Sequence, residues 1–173
     1  MNAKLVLALA MGVVAMAVSS VLVHAFGLPS ARIEIAAILV VWACLSLDTT
    51  RAAMCSYAAG YLFDVMGGAP TGLYAFVAML TFVVCRVVVV VVDVRGPIGF
   101  AALCLFIDAV HQLIAHGLIA FFAGRTGPQP AHAALVALPA TALFTALAAA
   151  ALHPLFQRLD RAFDREESSA LLR

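Results

Sequence analysis

Charge is what this sequence has least of. Ten Lys and Arg and nine Asp and Glu make up 11% of its 173 residues, where a soluble domain carries about 25%. So few charged side chains do not cover a globule in water, and with 65% of residues hydrophobic the natural solvent of the chain is lipid. A net charge of +1 gives no basic footprint, which argues against nucleic acid as a partner. The signatures of catalysis are missing too. There is no phosphate-binding glycine loop, no H-E-x-x-H and no G-x-S-x-G, and nothing supplies a nucleophile with a spaced base, so neither enzymatic activity nor a cofactor is expected. Cys44, Cys55, Cys85 and Cys104 fall inside apolar runs and form no C-x-x-C, which favours helix packing over a disulfide framework or a zinc site. At this length there is no room for a soluble catalytic domain beside a membrane part.

What the chain does have is long apolar runs. A membrane-crossing helix takes about 20 mostly apolar residues, and six stretches approach that: residues 4–26, 31–47, 51–67, 71–92, 97–123 and 131–156. Between them stand helix breakers, turn formers or charge: Gly27-Leu28-Pro29-Ser30, Asp48-Thr49-Thr50-Arg51, Gly67-Gly68-Ala69-Pro70, Arg95-Gly96-Pro97 and Gly124-Arg125-Thr126-Gly127-Pro128. The second and third stretches are the weakest, being short and carrying an acid near one end. The first has no charge from Leu5 to Ala31, longer than the 7 to 15 residues usual for a signal-peptide core, and reads as a retained helix. The expectation is an all-α integral membrane protein, a bundle of about six transmembrane helices forming one domain over residues 1–156, with a short charged tail over 157–173. Five spans is the competing count.

Lys and Arg in short loops set orientation. With both termini cytoplasmic, the inner side carries Lys4, Arg51, Arg95, Arg158, Arg161, Arg165 and Arg173 and the outer side only Arg32 and Arg125, so six spans with both ends inside is favoured. Beyond Pro154, Leu155, Leu159 and Phe163 recur four apart with charges between them, the pattern of a short amphipathic helix at the membrane interface; a solvated helix end is the plainer reading.

Charge inside a span is costly and marks the places to look for function. Three such residues are present: Asp64, Arg86 and Asp108. Ser56, Gly60 and Asp64 are four apart, on one helix face, and the two small residues let a neighbouring helix come close. In the run after Asp64 a glycine can end one helix in a left-handed conformation and Pro70 can open the next, giving a tight hairpin with Gly68 and Gly72. Its geometry brings the Asp64 carboxylate near the first free N–H groups of the following helix, a structural brace; a proton or ligand site is the other reading. Arg86 lies roughly 10 Å and Asp108 roughly 16 Å deep at about 1.5 Å per residue, a difference that an arginine side chain spans. The two are therefore expected to pair within the membrane, with snorkelling of Arg86 to the surface as the alternative. His111 and His116 on the Asp108 helix lack the second ligand cluster that a metal needs.

The residues from Gly60 to Leu73 carry the spacing G-x-x-x-D-x-x-x-G-x-x-x-G, with Gly60, Asp64, Gly68 and Gly72 at its fixed positions. In this the chain resembles the bacterial rod shape-determining MreD family, as it does in the isolated acid of Leu105-Phe106-Ile107-Asp108-Ala109-Val110, its length, its helix number and its charged tail. The resemblance implies a multi-pass protein of the bacterial inner membrane, a non-enzymatic scaffold of the cell-wall elongation machinery. Its implied partners are an MreC-like single-span protein, MreB, and the RodA and class B transpeptidase pair that builds peptidoglycan. It also implies a fold like that of the substrate-binding S components of energy-coupling vitamin transporters, which supplies the competing function. S components commonly show A-x-x-x-A on the first helix; here Ala3, Ala8, Ala10, Ala15 and Ala17 include no pair four apart, and Ala8-x-x-x-Gly12 is a small-residue substitute.

Overall fold

The computed structural model describes residues 10, 12–14, 17, 34–67, 72–94, 96–123 and 131–170. Among them no strand occurs, and five helices follow one another: α1 (Ile35–Ser46), α2 (Thr49–Gly67), α3 (Leu73–Val91), α4 (Gly96–Ala123) and α5 (Ala131–Ala170). The described residues of the first apolar stretch, 10, 12–14 and 17, are helical as well.

Among the described residues three helical segments are long and apolar enough to cross a membrane: Leu73–Val91, Gly96–Phe121 and Pro139–Arg161. This is fewer than the six expected from the sequence, and the shortfall has local causes. The 12 residues of α1 rise roughly 18 Å, well short of a hydrocarbon core of roughly 30 Å. The 19 residues of α2 are long enough but include Arg51, Ser56, Gly60 and Asp64. Most of residues 4–26 lie outside the described part of the chain. Within the three long segments only 33 to 44% of residues are buried in the protein, and Val87, Val90, Val91, Ile98, Phe121 and Leu147 point outward. An apolar exterior of that extent is suited to lipid and not to water.

Helix α1 is the axis of the fold. All ten residues from Ile35 to Cys44 are buried, which is the behaviour of a helix apolar on every side. It packs against α2, α3, α4 and α5, and Gly12 of the first stretch approaches it so closely that a Cβ there would run into the Leu39 side chain. The other main contacts are between α2 and α3 and between α4 and α5. The four cysteines are free and buried.

The tail differs from its expected form. Pro154 does not break the helix: α5 continues through it and past residue 156, without the N–H that proline lacks. The buried residues of this segment are Phe156 and Leu159, whereas Leu155 is exposed and the side chain of Phe163 lies outside the described residues. Phe156 stacks on Trp42 of α1 with ring centroids 5.3 Å apart and meets Phe100 of α4 at 6.1 Å. Ser46, the last residue of α1, donates its hydroxyl to Asp160 at 3.0 Å. The start of the tail is thus docked on the bundle along one face.

Phe156→Ala is expected to lower the unfolding free energy by about 3 kcal/mol, the usual cost of emptying a buried aromatic site. It should also open the chain beyond residue 156 to limited proteolysis while α3 and α4 stay protected.

Candidate functional site

The corner between α2 and α3 is built on Asp64. Helix α3 begins at Leu73 with Gly72 as its N-cap, and Gly72 has φ 96°, a left-handed conformation that a side chain disfavours. A glycine cap carries no oxygen to offer the free N–H groups of the first turn. Asp64 supplies it from the neighbouring helix. One carboxylate oxygen accepts the N–H of Tyr74 at 2.8 Å and the other accepts those of Gly72 and Ala75, both at 3.0 Å. The N–H groups of Tyr74 and Ala75 are those that an aspartate in the cap position satisfies within its own chain segment, and the positive end of the α3 dipole adds to the attraction. The carboxylate is only 2% exposed.

The approach that makes this reach work is set by Gly60. A Cβ at that position would lie 2.5 Å from the Tyr74 carbonyl oxygen and 2.7 Å from Ala75 Cα and Ala78 Cβ, so α2 and α3 touch backbone to backbone one turn from Asp64. Ser56 continues the same buried face and returns its hydroxyl to Ala52 O at 2.8 Å, so its own polar group is satisfied within the helix. Phe63 and Tyr74 close the side of the corner with ring centroids 5.0 Å apart. Of the motif positions, Gly68 and Pro70 lie outside the described residues. The chain directly after α2, where a left-handed glycine was expected, lies outside the described residues; the left-handed Gly72 stands at the start of α3, which opens at Leu73, three residues after Pro70. The reason is Asp64: with the first amides satisfied across the corner, no cap residue or proline is needed at the helix start.

Arg86 and Asp108 are not brought together, which corrects the expected pair. The guanidinium of Arg86 donates to the Cys44 carbonyl oxygen at 2.9 Å and to Thr49 Oγ1. It therefore closes the corner between α1 and α2, capping a C-terminal carbonyl of α1 at the negative end of that helix. Depth alone allowed the pairing; the packing instead gives the guanidinium the carbonyl at the α1 end. The ion pair Arg51–Asp48 at 3.4 Å beside the same corner is exposed and contributes little.

Asp108 belongs to a different set of groups, between α3, α4 and α5. It accepts Gln112 Nε2 at 2.9 Å, and the same amide faces Thr141, with Nε2 donating to Thr141 Oγ1 at 2.8 Å and Thr141 donating back to Gln112 Oε1 at 3.1 Å. Thr145, one turn on from Thr141, adjoins Asp108 and accepts the backbone N–H of Glu34 at 3.1 Å. His111 lies 3.0 Å from Thr81 Oγ1; because the Thr81 hydroxyl donates to Val77 O at 2.8 Å, the histidine donates its Nδ1–H to that oxygen. His116 donates to Gln112 O at 2.7 Å. Thr81, Glu34, Gln112, Thr141 and Thr145 were not singled out in the sequence, although a signal was there: Asp108, Gln112 and His116 are spaced by four, as are Thr141 and Thr145, and each set falls on one helix face. Among the described residues no group of three or more His, Cys, Asp and Glu is placed to hold a metal.

Asp64→Asn keeps one acceptor oxygen and turns an amide donor toward N–H groups. A loss of about 2 to 3 kcal/mol in unfolding free energy is expected, in line with hydrogen bonds to a charged group. Gly60→Ala should weaken the same corner by about 1 to 3 kcal/mol through overpacking; equilibrium unfolding in mixed micelles checks both. Because Arg86 and Asp108 serve separate networks, the effects of Arg86→Gln and Asp108→Asn should add to within about 0.5 kcal/mol in a double-mutant cycle, where a direct pair would give a larger coupling. No protein-family model, curated protein or solved structure matches this chain.

Proposed function

We propose that this chain is a non-enzymatic scaffold of MreD type in the bacterial inner membrane, organising cell-wall elongation and so maintaining rod shape. In this reading the helices form a membrane-embedded bundle similar to an S component, with both termini in the cytoplasm. The partners are an MreC-like single-span protein, MreB on the cytoplasmic side, and RodA with its class B transpeptidase.

The observation that carries the reading is the use made of the motif from Gly60 to Gly72. Gly60 permits backbone contact, Asp64 caps the next helix across the corner and Gly72 takes the left-handed cap position, so three of the four motif residues have distinct physical tasks in one rigid hairpin. A rigid hairpin with an apolar exterior suits a protein that holds others in register. Exposed Met54, Tyr57, Tyr61 and Val65 run along the outward face of α2, available to lipid or to a partner helix.

The test is made in cells and on the purified complex. Depletion should turn rods into round cells, an affinity-tagged chain should retain an MreC-like protein through detergent extraction, and Asp64→Ala should lose both functions at unchanged membrane abundance. Cells that keep their shape without the chain, or a purified chain that holds a stoichiometric small molecule and no MreC-like protein, would overturn the scaffold reading, the latter in favour of an S component.

A further inference from the structure

Asp108 stands at the middle of the apolar segment Gly96–Phe121 and is 0% exposed. Only one of its oxygens is occupied by the Gln112 amide; Oδ1 has no hydrogen-bond partner among the described residues. No described cationic side chain pairs with it, since Arg86 is engaged at Cys44 and Thr49. The charge that acts on it is that of Glu34, of the same sign. A carboxylate oxygen left bare in such surroundings is among the costliest arrangements a protein can hold, and it is relieved by hydrogen-bond donors, by a positive charge or by taking up a proton. The other two charges singled out in the sequence are provided for, Asp64 by three amides and Arg86 by a helix end. Asp108 is the exception.

We propose that Asp108 is the binding point of one monovalent cation, a proton or Na+, held in a polar cage of Asp108, Gln112, Thr145 and Glu34. A proton adds to Oδ1, converting the carboxylate to a neutral acid that donates a hydrogen bond; Na+ takes Oδ1 and the neighbouring hydroxyl and carbonyl-type oxygens as ligands. The titratable groups around Asp108 are Glu34 at the entry to α1 and, on its own helix, Cys104 one turn before and His111 one turn after. Thr145 of α5 and Thr81 of α3 bring hydroxyls and no charge. Gln112 and His116 continue from Asp108 in steps of four along α4, with Thr141 beside them, and His116 is partly exposed. This line of polar groups leads from the middle of the segment toward the C-terminal end of α4 and gives the cation a route of exchange.

The test uses the purified full chain in micelles and separates the two cations. In infrared spectra recorded between about pH 5 and about pH 9, a bound proton appears as the carbonyl stretch of a neutral carboxylic acid. That band should shift when aspartate carries a carbon-13 carboxyl, move in Gln112→Leu and vanish in Asp108→Asn. Bound Na+ instead gives no such band but raises the thermal midpoint relative to K+ at equal ionic strength, with half-saturation at least tenfold weaker in Gln112→Leu. Either pattern supports the site. Should Asp108→Asn fail to fold, isotope labelling and Gln112→Leu still decide. An ionised Asp108 together with a midpoint indifferent to Na+ would overturn the proposal and leave the scaffold reading untouched.

Discussion

A helix that starts in apolar surroundings has amide groups with nowhere to go, and this fold rests on how one such start is satisfied. Helix α3 has a glycine at its cap, and its first-turn amides are taken up by Asp64 of the preceding helix. That single carboxylate fixes the distance, the angle and the register of α2 against α3 at once. Gly60 then has to be glycine, because the geometry puts its Cα against the α3 backbone. The same rigid α3 carries Arg86 to the far corner, where it satisfies the end of α1 and meets the start of α2. Two corners are thereby closed by two side chains of opposite charge, each matched to the helix end of opposite polarity.

Around these corners the short helix α1 acts as a common core. It is too short to cross a bilayer by itself and is buried along Ile35 to Cys44, so its role is to be packed on from all sides. The tail uses the same surface: Phe156 on Trp42 and Asp160 on Ser46 bind the far part of α5 to the two ends of the same turn of chain. A segment that looks peripheral by its charges is in this way part of the bundle, and its docking connects whatever lies beyond it to the α1–α2 corner.

Asp64, Arg86 and Asp108 divide by what compensates them. Asp64 and Arg86 face backbone groups at helix ends, and their service is architectural. Asp108 faces side chains that offer hydrogen bonds without a counter-charge, so its environment is polar and electrically incomplete. A scaffold for large partners and a small-cation site are compatible in one chain. The braced α2–α3 corner presents an outer surface, whereas the Asp108 cage lies between α4, α5 and the entry to α1 in the interior.

The sequence by itself determined the class of the molecule and the Asp64 corner. Composition and apolar run length act on every residue independently, and a carboxylate eight residues before a glycine-bounded helix start reaches it by local chain geometry alone. The extents of α1 to α4 were legible to within a few residues for the same reason, whereas α5 runs on to Ala170, past the expected end at 156. Only the tertiary structure decided the fate of Arg86 and Asp108, the docking of the tail and the cage around Asp108. Depth along a helix is one coordinate, and it does not say which of several neighbours a side chain faces; the carbonyl of Cys44, 42 residues away, is an acceptor with no sequence signature. Of the expected face Leu159 is buried, and Phe156 is buried in place of Leu155 because the rotation of α5 is set by stacking on Trp42, a contact spanning most of the chain. Local spacing encodes what one helix or one hairpin can do, and the choice among distant partners belongs to packing.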